Sequence, residues 1–216
     1  MGGERLLDIG CGNGAYTIAL GAGFDEVYGV DVEPVRVARF RERVDGDPKF
    51  HVSVASAERL PFPDRYFDVV TAIEVIEHIG DLERAMGEVN RVLRFGGGFL
   101  VSCPNRLFPI ETHTVIIGRQ EYSARSLLFL PYLTRLHRRI STARNFMARD
   151  LTELGSRAGF GVVAHDWVMP PLDNWRPGRE TLRRVFSALE RSPLRVFGVS
   201  VIGVFQKETG DGGEPA

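Results

Sequence analysis

Two hydrophobic periods take turns along the first hundred residues. Arg5 to Ile9 is a short apolar run that ends in Gly10-Cys-Gly-Asn-Gly14, the pattern of a strand entering a tight turn. Ala15 to Ala22 then reads as a helix, and Glu26 to Val30 as a second strand closing on Asp31. Pro34 suits the first turn of a helix, and Val37, Phe40 and Val44 follow at helical spacing. Phe50 to Val54 predicts a third strand, and Phe67 to Ile73 a fourth, continuous enough to be buried on both faces. Asp81 is placed to cap the next helix, whose apolar face is Leu82, Ala85, Val89 and Leu93. Gly96-Gly97-Gly98 is expected to stop that helix, and Phe99 to Cys103 to form a fifth strand ended by Pro104-Asn105.

Five strand–helix repeats of this kind predict a parallel sheet with helices on both faces. Past Arg106 the pattern breaks. Residues up to Asn145 show no clear strand and several helix-like stretches. The α/β pattern resumes with a helix at Ala148 to Ala158, a strand at Gly161 to Val168 and a last strand at Val196 to Lys207. The expected fold is α/β: a Rossmann-like, doubly wound, mostly parallel seven-stranded sheet with a helical insertion after the fifth strand. One domain spans 1–208, residues 106–147 and 169–195 are insertions suited to a lid over the strand ends, and 209–216 form a disordered tail. A basic helix is expected near Arg179 to Arg191.

Composition narrows the function classes. The 216 residues carry 27 Lys and Arg against 28 Asp and Glu, a net charge of −1, so no global field favours nucleic acid or an anionic membrane. Cys11 and Cys103 read as reduced thiols. No apolar run has the ~20 residues of a membrane span, and the start lacks a signal-peptide core, so a cytoplasmic protein is expected.

Chemistry concentrates in Leu7-Asp8-Ile9-Gly10-Cys11-Gly12-Asn13-Gly14. Glycines let the chain turn sharply and let a ligand approach the backbone, and the following helix offers free N–H groups. Gly10-x-Gly12-x-x-Ala15 also satisfies a relaxed dinucleotide fingerprint. Asp8 decides between ligands: it repels a pyrophosphate and favours one bearing an ammonium beside a carboxylate, as the methionine end of S-adenosylmethionine does. Asp31, 21 positions after Gly10, is placed to take ribose hydroxyls, or to serve the helix start near Pro34. A nicotinamide oxidoreductase is disfavoured by Asp8 and by the lack of a Tyr-x-x-x-Lys pair.

In these residues the sequence resembles the class I S-adenosylmethionine-dependent methyltransferases, in the group related to ubiquinone and menaquinone biosynthesis methyltransferases. The resemblance rests on Leu6 to Gly14, Val30-Asp31, Ala57-Glu58-Arg59-Leu60-Pro61-Phe62, Phe67-Asp68-Val69-Val70, Val75-Ile76-Glu77-His78 and Arg91-Val92-Leu93-Arg94-x-Gly-Gly97. It implies S-adenosylmethionine as cofactor and S-adenosylhomocysteine as product. Gly10, Cys11 and Gly12 would line the methionine end, and Asp31 with Val32 would hold the ribose and flank the adenine. Ser56, Ala57 and Glu58 would meet the adenine, with Ser56 where the family usually has an acid. Glu74 would sit near the methyl group. The family also places one or two helices before the first strand; here the strand begins within five residues of the start, which implies a more open pocket, a truncated chain, or a cofactor-binding subunit completed by a partner.

Glu74-Val-Ile-Glu77-His78 follows the fourth strand at its C-terminal mouth. His78 is the candidate general base for an oxygen acceptor, against a bland role in orienting the loop. Glu74, Glu77 and His78, with His113, also resemble the ligand set of metal-assisted RNA 2′-O-methyltransferases, although no RNA-binding module is recognisable and no metal ligand is assigned. The segment Arg119 to Arg149 carries seven Arg against one Glu, interleaved with leucines and aromatics. It suits an amphipathic cap with a solvated basic face, or a surface for a lipid-like acceptor at a membrane. The expected activity is methyl transfer to a small-molecule or lipid-like acceptor at oxygen, with lipid cyclopropanation as a related chemistry.

Overall fold

A computed structural model describes residues 2–123, 127–170, 184 and 187–209. The first strand, β1 (Gly3–Ile9), is followed by α1 (Ala15–Leu20), β2 (Phe24–Asp31), α2 (Pro34–Val44), β3 (Phe50–Val54) and β4 (Phe67–Ile73). Then come α3 (Leu82–Val92), β5 (Leu93–Pro104), β6 (Thr114–Ile117), β7 (Gln120–Ser123), α4 (Thr134–Ile140), α5 (Ala148–Arg157), β8 (Phe160–Val168) and β9 (Ser200–Lys207). Seven strands form one mixed sheet in the order β3-β2-β1-β4-β5-β9-β8. The pairs β1–β2, β1–β4 and β2–β3 are parallel. Chain order reverses between β1 and β4, the place where open α/β sheets bind ligands beyond their strand ends.

By its internal contacts the chain divides into two compact units. One comprises Met1–Val101, Thr152–Ala164 and Val204–Ala216; the other comprises Ser102–Leu151 and His165–Gly203. In the first unit Leu6, Leu7, Val27, Val30, Phe67 and Val70 are buried, as their unbroken apolar runs require. Phe99, Phe160 and Phe205 add an aromatic cluster with centroids 5.7 to 6.3 Å apart. Asp81 caps α3 by accepting from the Arg84 N–H at 3.0 Å, as expected. Ala85, Met86, Val89 and Val92 face inward from that helix.

Four local expectations are corrected. The connection 55–66 between β3 and β4 contains no helix. Pro61 and Pro63 oppose one, and the Arg91 guanidinium takes the freed carbonyls instead, donating to Leu60 at 3.0 Å and Phe62 at 2.8 Å. Glu88 accepts from the Leu60 N–H at 2.8 Å. The Leu60-Pro-Phe and Arg91-Val-Leu segments are thereby tied to each other. Second, Gly96 to Gly98 lie inside β5, which starts at Leu93 directly after α3. A Cβ on Gly97 would meet the Asp68 and Arg94 carbonyl oxygens at 3.0 and 2.8 Å, so the strand, not a helix stop, demands glycine there.

Third, the insertion is not purely helical. It contains a β6–β7 hairpin in which Ile117 pairs with Gln120 across Gly118-Arg119, and Gly118 has φ +66°. A two-residue loop with positive φ at its first position is a standard hairpin connection. Fourth, the last strand starts at Ser200, after a short 3₁₀ turn at Pro193–Phe197. Of the basic helix expected near Arg179 to Arg191, residues 184 and 187–190 are helical, Arg191 is in a turn, and 179–183, 185 and 186 lie outside the described residues, as do 210–216. Among the described residues no helix is long and apolar enough to cross a membrane.

Candidate cofactor site

The site in the first unit follows from the register of β1 with its neighbours. Ile9 pairs with Val30 on one side and Ala72 on the other, so the glycine turn, Asp31 and the Ile73-Glu74 strand end come out together. Gly10 and Cys11 both donate to the Val30 carbonyl, at 2.7 and 3.0 Å. Gly10, Gly12 and Gly14 all have positive φ, at +70°, +54° and +79°. Their surroundings differ. A Cβ on Gly10 would lie 2.2 Å from Val75 Cγ2, and one on Gly14 would lie 2.2 Å from the Phe40 ring. A Cβ on Gly12 would meet nothing within 4 Å. Gly10 and Gly14 are therefore demanded by packing, and Gly12 leaves open space of the kind a ligand needs.

Asp31 is buried, and both its oxygens are engaged: Oδ2 accepts from the Gly12 N–H at 3.0 Å and Oδ1 from the Glu33 N–H at 2.9 Å. The carboxylate thus fixes the glycine turn and the approach to α2, whose N-cap is Glu33 rather than Asp31. Val32 beside it is exposed. Asp8 lies under the turn, 3% exposed. Its Oδ2 accepts from Thr17 Oγ1 at 2.5 Å and its Oδ1 from Thr71 Oγ1 at 2.7 Å. Burial pushes the Asp8 carboxyl up to about 6, against the hydrogen bonds from the two threonines, and the charge of Asp31 adds to the rise. The Cys11 thiol is buried and is pushed up first by burial, then by Asp8 and Asp31, which makes it inert packing rather than a nucleophile.

The loop after β3 is tied from both ends. Ala55 donates to the Asp31 carbonyl at 3.1 Å, and the Glu58 N–H donates to Ser56 Oγ at 3.2 Å. Ala57 is buried. Glu58 spends Oε1 on the Asp81 N–H at 2.9 Å, so its carboxylate braces the start of α3. Glu74 is exposed and has φ +53°, a conformation that costs a non-glycine residue energy and tends to occur at functional sites. Val75 packs where Gly10 lacks a side chain, bringing the Glu74 loop against the glycine turn. His78 is exposed at the end of a 3₁₀ turn, and Glu77 is buried on the same turn.

The second unit holds a cluster that sequence reasoning missed. Glu111 and His137 are both buried, with Glu111 Oε2 2.5 Å from His137 Nε2. Glu111 Oε1 accepts from the Thr112 and His113 N–H groups at 3.0 and 2.8 Å. Burial works to raise the Glu111 carboxyl, but the hydrogen bonds from His113 and His137 outweigh it and hold it down to about 2. The partners are separated by 26 positions with no shared motif, so nothing in the sequence signals the pair. His113, a candidate metal ligand, belongs to this unit.

A mostly parallel α/β sheet with an open Gly12 at its switch point and buried carboxylates at Asp31 and Asp8 defines the cofactor half of a class I methyltransferase. The donor set fits S-adenosylmethionine: Gly12 offers an unfilled backbone cradle, and Asp31 and Asp8 offer negative charge beside it. Residues 7–101 match the protein-family model described as "Methyltransferase domain", and the chain carries an S-adenosylmethionine-dependent methyltransferase domain of that family, with ubiquinone biosynthesis methyltransferases among its relatives. A probable S-adenosylmethionine-dependent methyltransferase of Mycolicibacterium smegmatis is 34% identical over 160 residues, which is 74% of this chain and 53% of that protein. A ubiquinone biosynthesis O-methyltransferase of Aeromonas salmonicida is 31% identical over 163 residues, 74% of this chain and 64% of that protein. The chain thus spans less than two thirds of these relatives' lengths. The structure of an S-adenosylmethionine-dependent methyltransferase from Mesorhizobium loti superposes with a TM-score of 0.65 at 20% identity, covering 95% of this chain and 92% of that one, and shares the fold.

Proposed function

We propose that the chain transfers a methyl group from S-adenosylmethionine to oxygen on a small-molecule or lipid-like acceptor. The observation that carries the reading is the open, left-handed Gly12 held by the buried Asp31 carboxylate. S-adenosylmethionine supplies the electrophilic methyl group; the chain supplies alignment and a base. Gly10, Cys11 and Gly12 line the methionine end, Asp31 and Val32 take the ribose and adenine edge, and the backbone at Ser56 and Ala57 meets the adenine. Glu58 acts there indirectly, by holding the loop to α3. Glu74, in its strained conformation, faces the reacting end.

His78 removes the acceptor hydroxyl proton as the C–O bond forms, leaving the proton on the imidazole and S-adenosylhomocysteine as product. Acceptor choice resides in residues 106–147 and 169–195. The oxygen assignment is supported by the similarity to the Aeromonas ubiquinone biosynthesis O-methyltransferase. The test is transfer of labelled methyl to a panel of phenolic and polyprenylated phenolic acceptors by the parent and by His78→Gln. The variant is expected to lose roughly 100-fold in kcat with cofactor affinity within about twofold. Full activity in the variant removes His78 from the mechanism. Cofactor binding by the parent without transfer to any acceptor favours a subunit that needs a partner.

A further inference from the structure

We propose that the segment 127–140 docks on an anionic lipid bilayer. It holds two sets of apolar side chains with different fates. The inner set is satisfied within the second unit: Leu130 is buried against Val115, with Leu127 and Ile140 packed on them. The outer set has no such cover: Leu128, Phe129 and Leu133 are 61%, 58% and 57% exposed, and Tyr132 and Leu136 are exposed as well. The local core is already filled, so this second apolar set is surplus to folding, and a contiguous run of large apolar residues in water marks an interaction surface.

The backbone holds the outer set outward. Phe129 has φ +64°, a left-handed conformation that an aromatic residue adopts only under constraint. The Phe129 N–H donates to the Pro109 carbonyl at 2.6 Å, and the Tyr132 hydroxyl donates to the Leu107 carbonyl at 2.7 Å. Phe129 and Tyr132 stack with centroids 5.9 Å apart. The turn is therefore braced from 107–109, not splayed by chance.

Charge selects the occupant. Arg135, Arg138 and Arg139 are exposed on α4, and residues 127–140 contain no Asp or Glu. A second copy of the chain is disfavoured, because a two-fold contact would set these guanidinium groups against one another. A bilayer surface with anionic headgroups accepts both features at once: leucines and aromatic rings enter the acyl boundary while arginines stay at the phosphate plane. The proposal holds whether or not the methyl acceptor is a lipid.

The test is flotation of the full chain with vesicles of phosphatidylcholine, with and without phosphatidylglycerol. The parent is expected to bind the phosphatidylglycerol vesicles at least about 10-fold more strongly than neutral ones, with added salt weakening binding. Combined Phe129→Ser, Leu133→Ser and Leu136→Ser should lower binding to those vesicles by about 10-fold or more. Combined Arg135→Gln, Arg138→Gln and Arg139→Gln should remove the preference for phosphatidylglycerol. Unchanged S-adenosylmethionine affinity and circular dichroism show that both variants fold, and keep this test separate from the methyltransferase reading. Absence of parent binding, equal binding by the apolar variant, or a parent dimer that the substitutions dissociate would each overturn the proposal.

Discussion

Replacing Gly12 with alanine is expected to lower S-adenosylmethionine affinity by roughly 100-fold, about 3 kcal/mol, while costing the fold only about 1 to 2 kcal/mol. Gly14→Ala should destabilise the fold more than Gly12→Ala does. Both positions are left-handed, so both variants carry the backbone penalty. Only at Gly14 does the new Cβ also land 2.2 Å from the Phe40 ring, in a fully buried site that cannot yield cheaply. Overpacking of that kind adds about 1 to 3 kcal/mol. Denaturant unfolding of the two variants, beside cofactor titration, checks the contrast. Equal destabilisation with unaltered binding in Gly12→Ala would mean that the open space at Gly12 is not where the ligand sits.

Asp8→Asn should raise the stability of the cofactor-free protein at pH 7 while weakening cofactor binding. In the folded chain the Asp8 carboxyl holds its proton to about pH 6, against an ordinary value of 3.8. Between those values the folded state binds more protons than the unfolded one, so this group's contribution falls as pH rises through that window and stays low above it. The difference of about two pH units corresponds to a penalty on the order of 2 to 3 kcal/mol at neutral pH. An asparagine keeps the shape and can pair with the Thr17 and Thr71 hydroxyls, which rotate to suit. Unfolding curves of the parent and variant should therefore converge near pH 4 and separate toward pH 7. A variant less stable than the parent at both pH values would show that the carboxylate, not its burial cost, dominates this site. Retention of a destabilising buried charge is understandable if the cofactor's ammonium is what it serves.

The legible parts of the fold are those where one period ran unopposed. β3 and β4 begin and end where their apolar runs do, and Asp81 announced α3 through a local capping bond. The glycine turn and its tie to Asp31 were legible because strand, turn and carboxylate are close in sequence and the left-handed backbone favours glycine. Two kinds of feature escaped. The triple glycine of β5 looked like a helix stop because the carbonyls that demand glycine at Gly97, on Asp68 and Arg94, are identified only once strands are paired. The helix-free 55–66 connection likewise depends on Arg91, about thirty positions away. The β6–β7 hairpin is signalled only by Gly118 after the β-branched run Thr114-Val-Ile-Ile117, a cue that the arginine and leucine content of the longer segment obscures. The Glu111–His137 pair is a product of tertiary folding alone.

In the proposed function the Gly10–Gly14 turn and Asp31 bind S-adenosylmethionine. Its most direct test is calorimetric titration of the purified chain with S-adenosylmethionine, with Asp31→Ala and with NAD as controls. Micromolar binding to the parent, lost by at least about 100-fold in Asp31→Ala and absent with NAD, is the predicted result. Binding of NAD in place of S-adenosylmethionine would contradict the account.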